Sequence, residues 1–467
     1  MTETLQEAID RAGSPVDLLR HSPARPTVFP VTPEFTNWRS EQHSWRTGCA
    51  LLDQSHHMTD LFLRGPGAER LLSSLAVNSF ANFPVDRAKQ LVAVNHQGHL
   101  IGDGILAHLD ADSYNLVGHH MVIDWVQFHA ETGGHDVEVE RDGNSIVRTG
   151  DPRLFRYELQ GPTAPAIVEN LIGGPVPQIG FFHMGRFPIA GLEVRGIRHG
   201  MAGQPGFELF GPWADGARVR DALLEAGSGL GLTQVGAKGY STANLESGWV
   251  PSPVPAIFSD DRLRSYREWL PAAAAGSLGG SFDSPDIEDY YLTPYDLDYG
   301  RSVAFDHDFV GREALETLSD AKPPGGSRRR KVTLVWNPDD VQEAMGSLLR
   351  PGLPAKYIEL PKARYALYQV DRVLRDGATV GQSFDCGYIA NEQSFVSLAS
   401  IDTGFAGPGT GTWTGAGAGA GAEVTVLWGE QPNSAKVQVE PHRQVAVRAT
   451  VAPAPFVQYA RESYRAA

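Results

Sequence analysis

The chain has 467 residues, more than one hydrophobic core usually serves, so two or three domains are expected. With 42% hydrophobic and 20% charged residues, its composition is that of an ordinary globular protein. The formal net charge of -15 argues against a nucleic-acid or anionic-membrane partner, because no broad basic face is available to neutralise phosphates.

The N-terminus and the cysteines indicate a compartment. Residues 1–20 mix polar and apolar side chains and lack a long apolar run, so neither a signal peptide nor a membrane span is predicted. Cys49 and Cys386 are the only cysteines and lie far apart in sequence, which gives neither a disulfide framework nor a cysteine metal motif. We therefore expect a cytoplasmic protein.

The first half of the chain predicts α+β structure in two regions. Residues 38–130 alternate short strand-like runs with helical stretches. A second region of the same patterning spans about 155–232 and opens with a strand, a turn and a helix start near Pro162. In the first region, strands are expected at 61–63, 91–94 and 114–117, and a helix at 68–75.

Beyond these regions the pattern changes. The small-residue run at 272–280 predicts a flexible connection, and the basic run at 328–331 predicts a solvated linker that enters a strand. The Ala-Gly stretch at 410–422 predicts a mobile surface hairpin. Short, closely spaced strands predict a small antiparallel barrel. They are expected at 331–336, 365–368, 394–400, 423–428, 435–439 and 446–451.

Five segments concentrate polar and aromatic side chains. Residues 240–249 read Tyr-Ser-Thr-Ala-Asn-Leu-Glu-Ser-Gly-Trp, which is a Leu-Glu-Ser-Gly turn beside aromatics. Of the others, three lie upstream and one downstream. They are Asp-Gln-Ser-His-His-Met at 53–58, His-Leu-Ile-Gly-Asp-Gly at 99–104, His-Gly-Met-Ala-Gly-Gln-Pro-Gly-Phe-Glu at 199–208 and Asp-Phe-Val-Gly-Arg-Glu-Ala-Leu at 308–315.

In this order, the segments resemble the glycine-cleavage T-protein (aminomethyltransferase) superfamily and, within it, the tetrahydrofolate-dependent vanillate/syringate-type aryl O-demethylases. The resemblance extends from residues 33–39 to the tail at 440–448. It implies an α+β folate-binding fold of two related subdomains, followed by a C-terminal antiparallel β-barrel. The expected division is a folate- and substrate-binding catalytic region at 1–320, with subdomains at about 1–150 plus 235–320 and at 151–234, and a barrel domain at 328–467.

The resemblance implies methyl transfer from an aryl ether to N5 of tetrahydrofolate. Because a phenoxide leaves poorly, a proton or strong hydrogen bond must reach the ether oxygen. Tyr240 is the candidate, since a tyrosine pKa of about 10 lies close to that of the departing phenol, and related O-demethylases carry an essential tyrosine here. A packing aromatic is its alternative role. His57 is expected beside the substrate, where it orients the freed phenol or relays its proton.

Folate binding is expected at six positions. A pterin presents N–H donors that a buried carboxylate can bind through charge-assisted hydrogen bonds, and Glu208 matches the acidic residue that does so in the superfamily. The alternative for Glu208 is a surface glutamate on a strand. Glu158 stands where relatives offer a Gln, which leaves its role open. The other positions are Gln54, Gln90, the backbone of Val117, and Trp249, which is expected to stack on the flat ring.

Substrate binding is expected at Phe29, His57, His119 and Tyr240. His119 stands where an Arg that can hold an aromatic carboxylate is expected, and Phe29 where a Tyr is expected. The aromatic substrate is therefore expected to lack a carboxylate or to carry a different ring substituent.

Two further departures concern the methyl donor. Asp103 aligns with one of the paired acids of the aminomethyltransferases, and the second acid is missing. Asn244 stands where those enzymes place an Arg. Both departures favour an ether-type donor, and they leave open whether Asp103 acts in catalysis or only places the folate.

The predicted function is tetrahydrofolate-dependent O-demethylation of a methoxylated aromatic, such as a lignin-derived methoxyphenol, giving 5-methyltetrahydrofolate and a demethylated phenol. The alternatives are a folate-dependent demethylase or aminomethyltransferase with an amine or sulfonium donor, and a non-catalytic folate-binding protein of the same fold. No metal site is predicted, since neighbouring His56 and His57 would face opposite ways in a strand and His96 and His99 lack a third ligand. The expected partners are substrate and folate, with neither nucleic acid nor membrane, in a monomer or small homo-oligomer.

Overall fold

The computed structural model describes residues 2–320, 329–405, 421–430, 436 and 438–465. Of the hairpin predicted at 410–422, all but the last two positions lie outside these residues. The helices of the described part are α1 Leu5–Ala12, α2 Pro15–His21, α3 Trp38–Thr47, α4 Ala68–Leu75, α5 His120–Thr132, α6 Ala164–Ile172, α7 Gly216–Ala226, α8 Ala237–Tyr240, α9 Ala243–Ser247, α10 Arg264–Trp269, α11 Arg312–Asp320, α12 Pro338–Gly346 and α13 Gln458–Glu462.

The strands run throughout the chain, joined by these helices and by short 3-10 turns. They are β1 Cys49–Asp53, β2 Thr59–Arg64, β3 Arg87–Val94, β4 Leu100–Asp110, β5 Ser113–Gly118, β6 Glu138–Asp142, β7 Leu154–Gln160, β8 Met184–Ile189, β9 Leu192–Ile197, β10 Gly206–Pro212, β11 Leu232–Val235, β12 Leu278–Gly279, β13 Arg329–Trp336, β14 Tyr368–Gln369, β15 Asp371–Arg375, β16 Ala378–Ile389, β17 Ser394–Asp402, β18 Glu423–Trp428 and β19 Val445–Pro453.

Two large sheets, the two-stranded sheet of β12 and β14, and a closed barrel organise these strands. One sheet has the order β11-β1-β7-β10-β9-β8, and the other has the order β3-β4-β5-β2-β6. The barrel closes in the order β13-β17-β16-β15-β18-β19, with every neighbouring pair antiparallel. The predicted α+β fold with a C-terminal antiparallel barrel is therefore confirmed. The domain boundaries stay a prediction.

Local sequence explains the elements that the pattern predicted well. Helix α4 coincides with the predicted helix because Leu71, Leu72 and Leu75 recur at helical spacing and are all buried. Helix α3 begins where the side chain of Asn37 accepts a hydrogen bond from the backbone N–H of Ser40. Strands β2, β3, β5 and β18 contain or match the predicted runs.

The largest buried core is shared between the five-stranded sheet and the barrel. It packs β2–β5, α4 and α5 together with Tyr368 and Val370 at the barrel edge and with Val396 and Leu398 inside β17. The barrel also has its own core, centred on Trp336 and Trp428. The five-stranded sheet and the barrel are thus joined by a continuous apolar contact.

The prediction of a flexible connection at 272–280 is wrong. Residues 272–275 form a 3-10 turn, and β12 pairs in parallel with β14. Ser277 and Leu278 are fully buried there. Small side chains allowed this segment to pack closely between the two regions, so the composition reflected close packing and not flexibility.

Other sequence-based boundaries also change. Arg329, Arg330 and Lys331 are strand residues of β13 and not a linker. The strand expected at 365–368 is reduced to the two residues of β14. No described residue of the strand expected at 435–439 is in a strand, and positions 435 and 437 lie outside the described residues. The hairpin of β15 and β16 was not predicted; its polar residues Asp371, Gln382, Ser383 and Asp385 are buried.

Candidate active site

A row of buried polar side chains crosses the six-stranded sheet. Because side chains alternate along a strand, Arg156, Glu158 and Gln160 of β7 lie on one face. Glu208 of β10 is paired directly with Glu158, and Gln54 follows β1 at the adjoining strand end. All five side chains are almost completely buried. Such a concentration of buried polar groups is typical of a binding site.

Arg156 is the cation of this row. One guanidinium nitrogen, Nη1, donates to Glu208 Oε1 at 2.7 Å. The other, Nη2, donates to Asp60 Oδ1 at 2.6 Å and to Asn115 Oδ1 at 2.7 Å. The buried Glu208 carboxylate is thus compensated by a fixed positive charge.

Glu158 has no such cation and is held by neutral donors. Met201 N–H donates to its Oε1 at 2.5 Å, and the Gln54 side-chain amide donates to its Oε2. Burial, reinforced by the nearby Glu208 charge, raises the pKa of Glu158 to about 8. The neutral acid is therefore the predominant form of Glu158 at pH 7.

The Tyr240 hydroxyl lies at one end of this row. Its oxygen is 3.0 Å from His57 Nε2 and 3.4 Å from Gln54 Nε2. Burial raises the pKa of Tyr240 well above its ordinary value, and the nearby Glu158 and Glu208 act in the same direction. Tyr240 thus keeps its proton over the physiological pH range.

His57 and Phe29 complete an aromatic corner around Tyr240. The His57 ring centroid is 5.1 Å from that of Tyr240 and 6.0 Å from that of Phe29, both with edge-on geometry. Burial lowers the pKa of His57 to about 4, and the charges of His56 and Arg156 act in the same direction. The imidazole is therefore uncharged at neutral pH and holds one proton on one of its two nitrogens.

A second polar group forms where β3 and β4 face the segment after α9. Asp103 Oδ2 accepts from Gln90 Nε2 at 2.6 Å and from Trp249 Nε1 at 3.0 Å. Gln90 also donates to the hydroxyl of Tyr299 at 3.2 Å, and Lys331 Nζ lies 5.7 Å from the Tyr299 ring centroid. Burial raises the pKa of Asp103. The structure thus brings together Gln90, Trp249 and Asp103.

The segment at 240–249 joins the two groups, and its own glutamate has a structural role. Glu246 accepts from Trp45 Nε1 at 3.0 Å, from Arg46 Nε at 3.1 Å and from Asn391 Nδ2 at 3.0 Å. Gly248 ends α9 with φ +73°, a left-handed conformation that favours glycine. The Leu-Glu-Ser-Gly turn therefore fixes Tyr240 and Trp249 relative to α3 and the barrel.

Helix α3 also fixes the start of α8. The buried carboxylate of Glu41 accepts from Gly236 N–H at 2.9 Å through Oε2. Through Oε1 it accepts from the backbone N–H groups of Phe35 and Thr36 at 2.6 and 2.8 Å. The backbone just before Tyr240 is thereby tied to the segment that follows Phe29.

Val117 and His119 belong to β5 and to the start of α5. Val117 lies inside β5, paired with Asp60 of β2 and Ile105 of β4. His119 precedes α5, and neither a hydrogen bond nor a ring contact joins it to Tyr240 or His57 among the described residues. Burial lowers the pKa of His119 well below its ordinary value, and His120 and Arg364 act in the same direction. His119 is therefore uncharged at pH 7.

Four residues that organise the site were not predicted from the sequence. These are Arg156, Asp60 and Asn115, which hold Glu208, and Tyr299, which contacts Gln90. A signal for Arg156 did exist, since the alternation Arg-Tyr-Glu-Leu-Gln at 156–160 places its polar residues on one face of a strand. Asp60, Asn115 and Tyr299 come from distant parts of the chain and had no local signal.

Two kinds of feature are absent from the described residues, a metal-ligand cluster and a membrane-spanning helix. Within 2–320, 329–405, 421–430, 436 and 438–465, no three His, Cys, Asp or Glu side chains converge as metal ligands would. In the same ranges no helix has both the length and the apolar character needed to span a bilayer.

The comparisons of this chain with known proteins agree with one another on its family. Residues 21–251 match the GCVT N-terminal domain family. A syringate O-demethylase of Sphingobium sp. (strain NBRC 103272 / SYK-6) is 43% identical over 471 residues, covering 99% of this chain and 98% of the relative. A sesamin methylene transferase of Sinomonas sp. (strain No.22) is 29% identical over 391 residues, covering 78% of each chain.

A solved structure supports the same fold over nearly the whole chain. The crystal structure of glycine cleavage system aminomethyltransferase T from Bartonella henselae superimposes with a TM-score of 0.60 and 18% identity. The superposition covers 98% of this chain and 99% of the other. At this identity the likeness establishes the fold and nothing finer.

Proposed function

Because the chain belongs to the aminomethyltransferase (GCVT) superfamily and, within it, to the family of the syringate O-demethylase, we propose that it is a tetrahydrofolate-dependent O-demethylase of a methoxylated aromatic compound. Its products are 5-methyltetrahydrofolate and the demethylated phenol. The observation that carries this proposal is the position of the Tyr240 hydroxyl. It lies within hydrogen-bond distance of His57 Nε2 and Gln54 Nε2 at the end of the buried polar row, in a chain that is similar to the syringate O-demethylase over its full length.

The polar row fits a pterin. Gln54 Oε1 is buried and has no hydrogen-bond partner among the residues that the structure describes, so it can accept from a ligand N–H. Glu208 beside it is an acceptor of the kind that suits paired N–H donors. When bound, tetrahydrofolate supplies the nitrogen that accepts the methyl group. The residues proposed to hold it are Gln54, Gln90, Val117, Glu158, Glu208 and Trp249.

Tyr240 is proposed as the proton donor to the leaving oxygen. When the His57 proton is on Nε2, both His57 and Gln54 donate to the Tyr240 oxygen, at 3.0 and 3.4 Å. The hydroxyl proton of Tyr240 is then free to point at the ether oxygen. The two donors also stabilise the charge that develops on Tyr240 as this proton moves away.

The substrate pocket is proposed to contain Phe29, His57, His119 and Tyr240. The first two and Tyr240 are in mutual ring contact, which suits a flat aromatic ring. His119 is uncharged at pH 7, so it offers a substrate carboxylate no ion pair. We therefore propose that turnover does not require a carboxylate on the ring. We place the reaction in the cytoplasm, since both cysteines are free thiols.

The test is anaerobic incubation of the purified protein with tetrahydrofolate and one of four methoxylated aromatics: vanillate, syringate, 3-O-methylgallate or guaiacol. Formation of 5-methyltetrahydrofolate is measured by chromatography. We expect turnover by the wild type and a loss of at least about a hundredfold in Tyr240→Phe, because general acid catalysis contributes roughly that much. The exposed Tyr357 gives a matched control, Tyr357→Phe, that should keep wild-type activity.

The outcomes separate the candidate functions. Turnover of guaiacol alongside the acids supports an uncharged His119 in the pocket. Tetrahydrofolate binding without product from any of the four compounds would contradict the proposal and favour another methyl donor or a non-catalytic folate-binding role.

A further inference from the structure

Two buried carboxyl groups face each other across neighbouring strands. Glu158 of β7 and Glu208 of β10 are directly paired in the antiparallel register. Side chains in this arrangement lie about 5 Å apart at Cβ, so two negative charges there would repel strongly in a buried setting. Both residues are almost fully buried. Unless each carboxyl group has its own cation, only one of the two is readily accommodated in its charged form.

Arg156 supplies its charge to Glu208. Its Nη1 donates to Glu208 Oε1, and its Nη2 donates to Asp60 Oδ1 and Asn115 Oδ1. No salt bridge between described residues includes Glu158. Among the described residues, Glu208 thus has a cationic partner and Glu158 forms no salt bridge.

The other groups around Glu158 do not supply the missing charge. His57 is uncharged at neutral pH, and Tyr240 keeps its proton. The direct donors to Glu158 are the uncharged Gln54 amide and the backbone N–H groups of Met201 and Ala202. The titratable or charged groups that face Glu158 or its immediate partners come from several elements. They are Arg156 of β7, Glu208 of β10, Asp60 of β2, Tyr240 of α8, His56 and His57 after β1, Arg198 and His199 after β9, and Tyr464 and Arg465 after α13. Neither Arg198 nor Arg465 forms a salt bridge with Glu158 among the described residues.

We propose that Glu158 binds the pterin as a neutral carboxylic acid, able both to donate and to accept a hydrogen bond, while Arg156 acts as a positioning residue that keeps Glu208 as the only charged member of the pair. The identity of the ligand rests on the proposed function. The state of Glu158 in the free protein does not.

A pH dependence of known sign follows. With a pKa of about 8, Glu158 is the neutral acid below that pH and the carboxylate above it. Folate affinity is therefore full at pH 7 and lost as the pH rises through 8. If only the neutral form binds, the fraction of competent protein falls roughly tenfold between pH 7 and pH 9, and the Kd for tetrahydrofolate rises by the same factor.

The experiment has two arms on the full-length protein. The first compares infrared spectra of the ligand-free wild type and Glu158→Gln at pH 7, looking for the carbonyl stretch of a neutral carboxylic acid. The second measures the Kd for tetrahydrofolate anaerobically between pH 7 and pH 9, by calorimetry, in both proteins. The exposed Glu225 of α7 gives the matched control Glu225→Gln, which should retain the wild-type spectrum and pH dependence.

The expected result is an acid carbonyl signal in the wild type that is missing in Glu158→Gln, and a Kd that rises about tenfold in the wild type but stays flat in that variant. An amide cannot ionise in this pH range. A Kd that does not change with pH in Glu158→Gln would therefore show that the pH dependence of the wild type comes from the proton on Glu158. Absence of the acid signal at pH 7, or a wild-type Kd that does not change up to pH 9, would overturn the inference. If the wild type binds no tetrahydrofolate at any pH, the proposed function fails, while the infrared arm still decides the state of Glu158.

Discussion

At the scale of single residues, Arg156 determines how the site is charged. It is 2% exposed and forms ion pairs with two buried carboxylates on separate strands, Glu208 and Asp60. Removing one partner of a buried ion pair leaves an uncompensated charge, which costs far more than the loss of a surface pair. A residue that no motif indicated is therefore central to the polar row.

We expect Arg156→Met to lower the free energy of unfolding by about 3–5 kcal/mol, because Glu208 and Asp60 lose their shared cation. Urea unfolding followed by circular dichroism measures the change. The control is Arg186→Met, which removes an exposed pair with Glu193 and should cost less than about 1 kcal/mol. Similar losses in the two variants would show that Arg156 is not needed for its charge.

At the scale of elements, the turn at 204–206 explains why β10 can lie so close to β7. Gly206 has φ +156°, and a Cβ at this position would come within 1.7 Å of the Leu159 carbonyl oxygen. Glycine therefore permits the strand pairing that places Glu208 opposite Glu158. Through Gly206, the Gly-Gln-Pro-Gly-Phe-Glu motif sets the backbone geometry that positions the carboxyl group of Glu208.

Gly206→Ala is expected to lower the free energy of unfolding by about 3 kcal/mol, because the methyl group can be accommodated only if the two strands separate. Thermal unfolding measures the loss, and folate affinity should fall with it as Glu208 shifts. Gly174→Ala is the matched control, since a Cβ there meets nothing within 4 Å. Equal stability of the two variants would contradict this account of the turn.

Elements were predicted well where local periodicity determines them. Helix α4 and strand β18 coincide with the predicted ranges because their apolar residues follow helical or strand spacing. The buried segment at 272–280 was mistaken for a linker, since burial by another part of the chain leaves no trace in a run of small residues. In the site, Tyr240 and His57 were predicted together and are in contact, whereas His119 is not joined to them.

At the scale of the whole molecule, the barrel supports the active-site segment. Lys362, next to the barrel, donates to Ser241 O at 2.7 Å, to Asn244 Oδ1 at 2.9 Å and to Asp385 Oδ2 at 2.7 Å. Asn244 in turn donates to Asp385 and to the backbone carbonyl of Trp249. Together with the shared core, these bonds connect the barrel to the stretch between Tyr240 and Trp249.

We expect Lys362→Met to lower the free energy of unfolding by about 3 kcal/mol, because Asp385 is left buried without its cation. Its kcat should also fall, since the segment that carries Tyr240 loses its support, and steady-state kinetics with the preferred methoxylated aromatic measure this. Lys238→Met, at an exposed lysine of α8 paired with Glu34, is the control and should leave both quantities nearly unchanged. An unchanged kcat in Lys362→Met would show that the barrel does not position Tyr240.

The family, the α+β fold with its barrel, and the order of the motifs could be predicted from the chain alone, because they depend on local periodicity and on residue identity. The charges of the buried carboxyl groups depend instead on how distant segments come together in the fold. Glu158 and Glu208 look alike in sequence, but strand register places them face to face, and Arg156 forms its ion pair with Glu208 and not with Glu158. The charge state of a buried group depends on its desolvation and on neighbours from distant segments, and neither can be read along one strand.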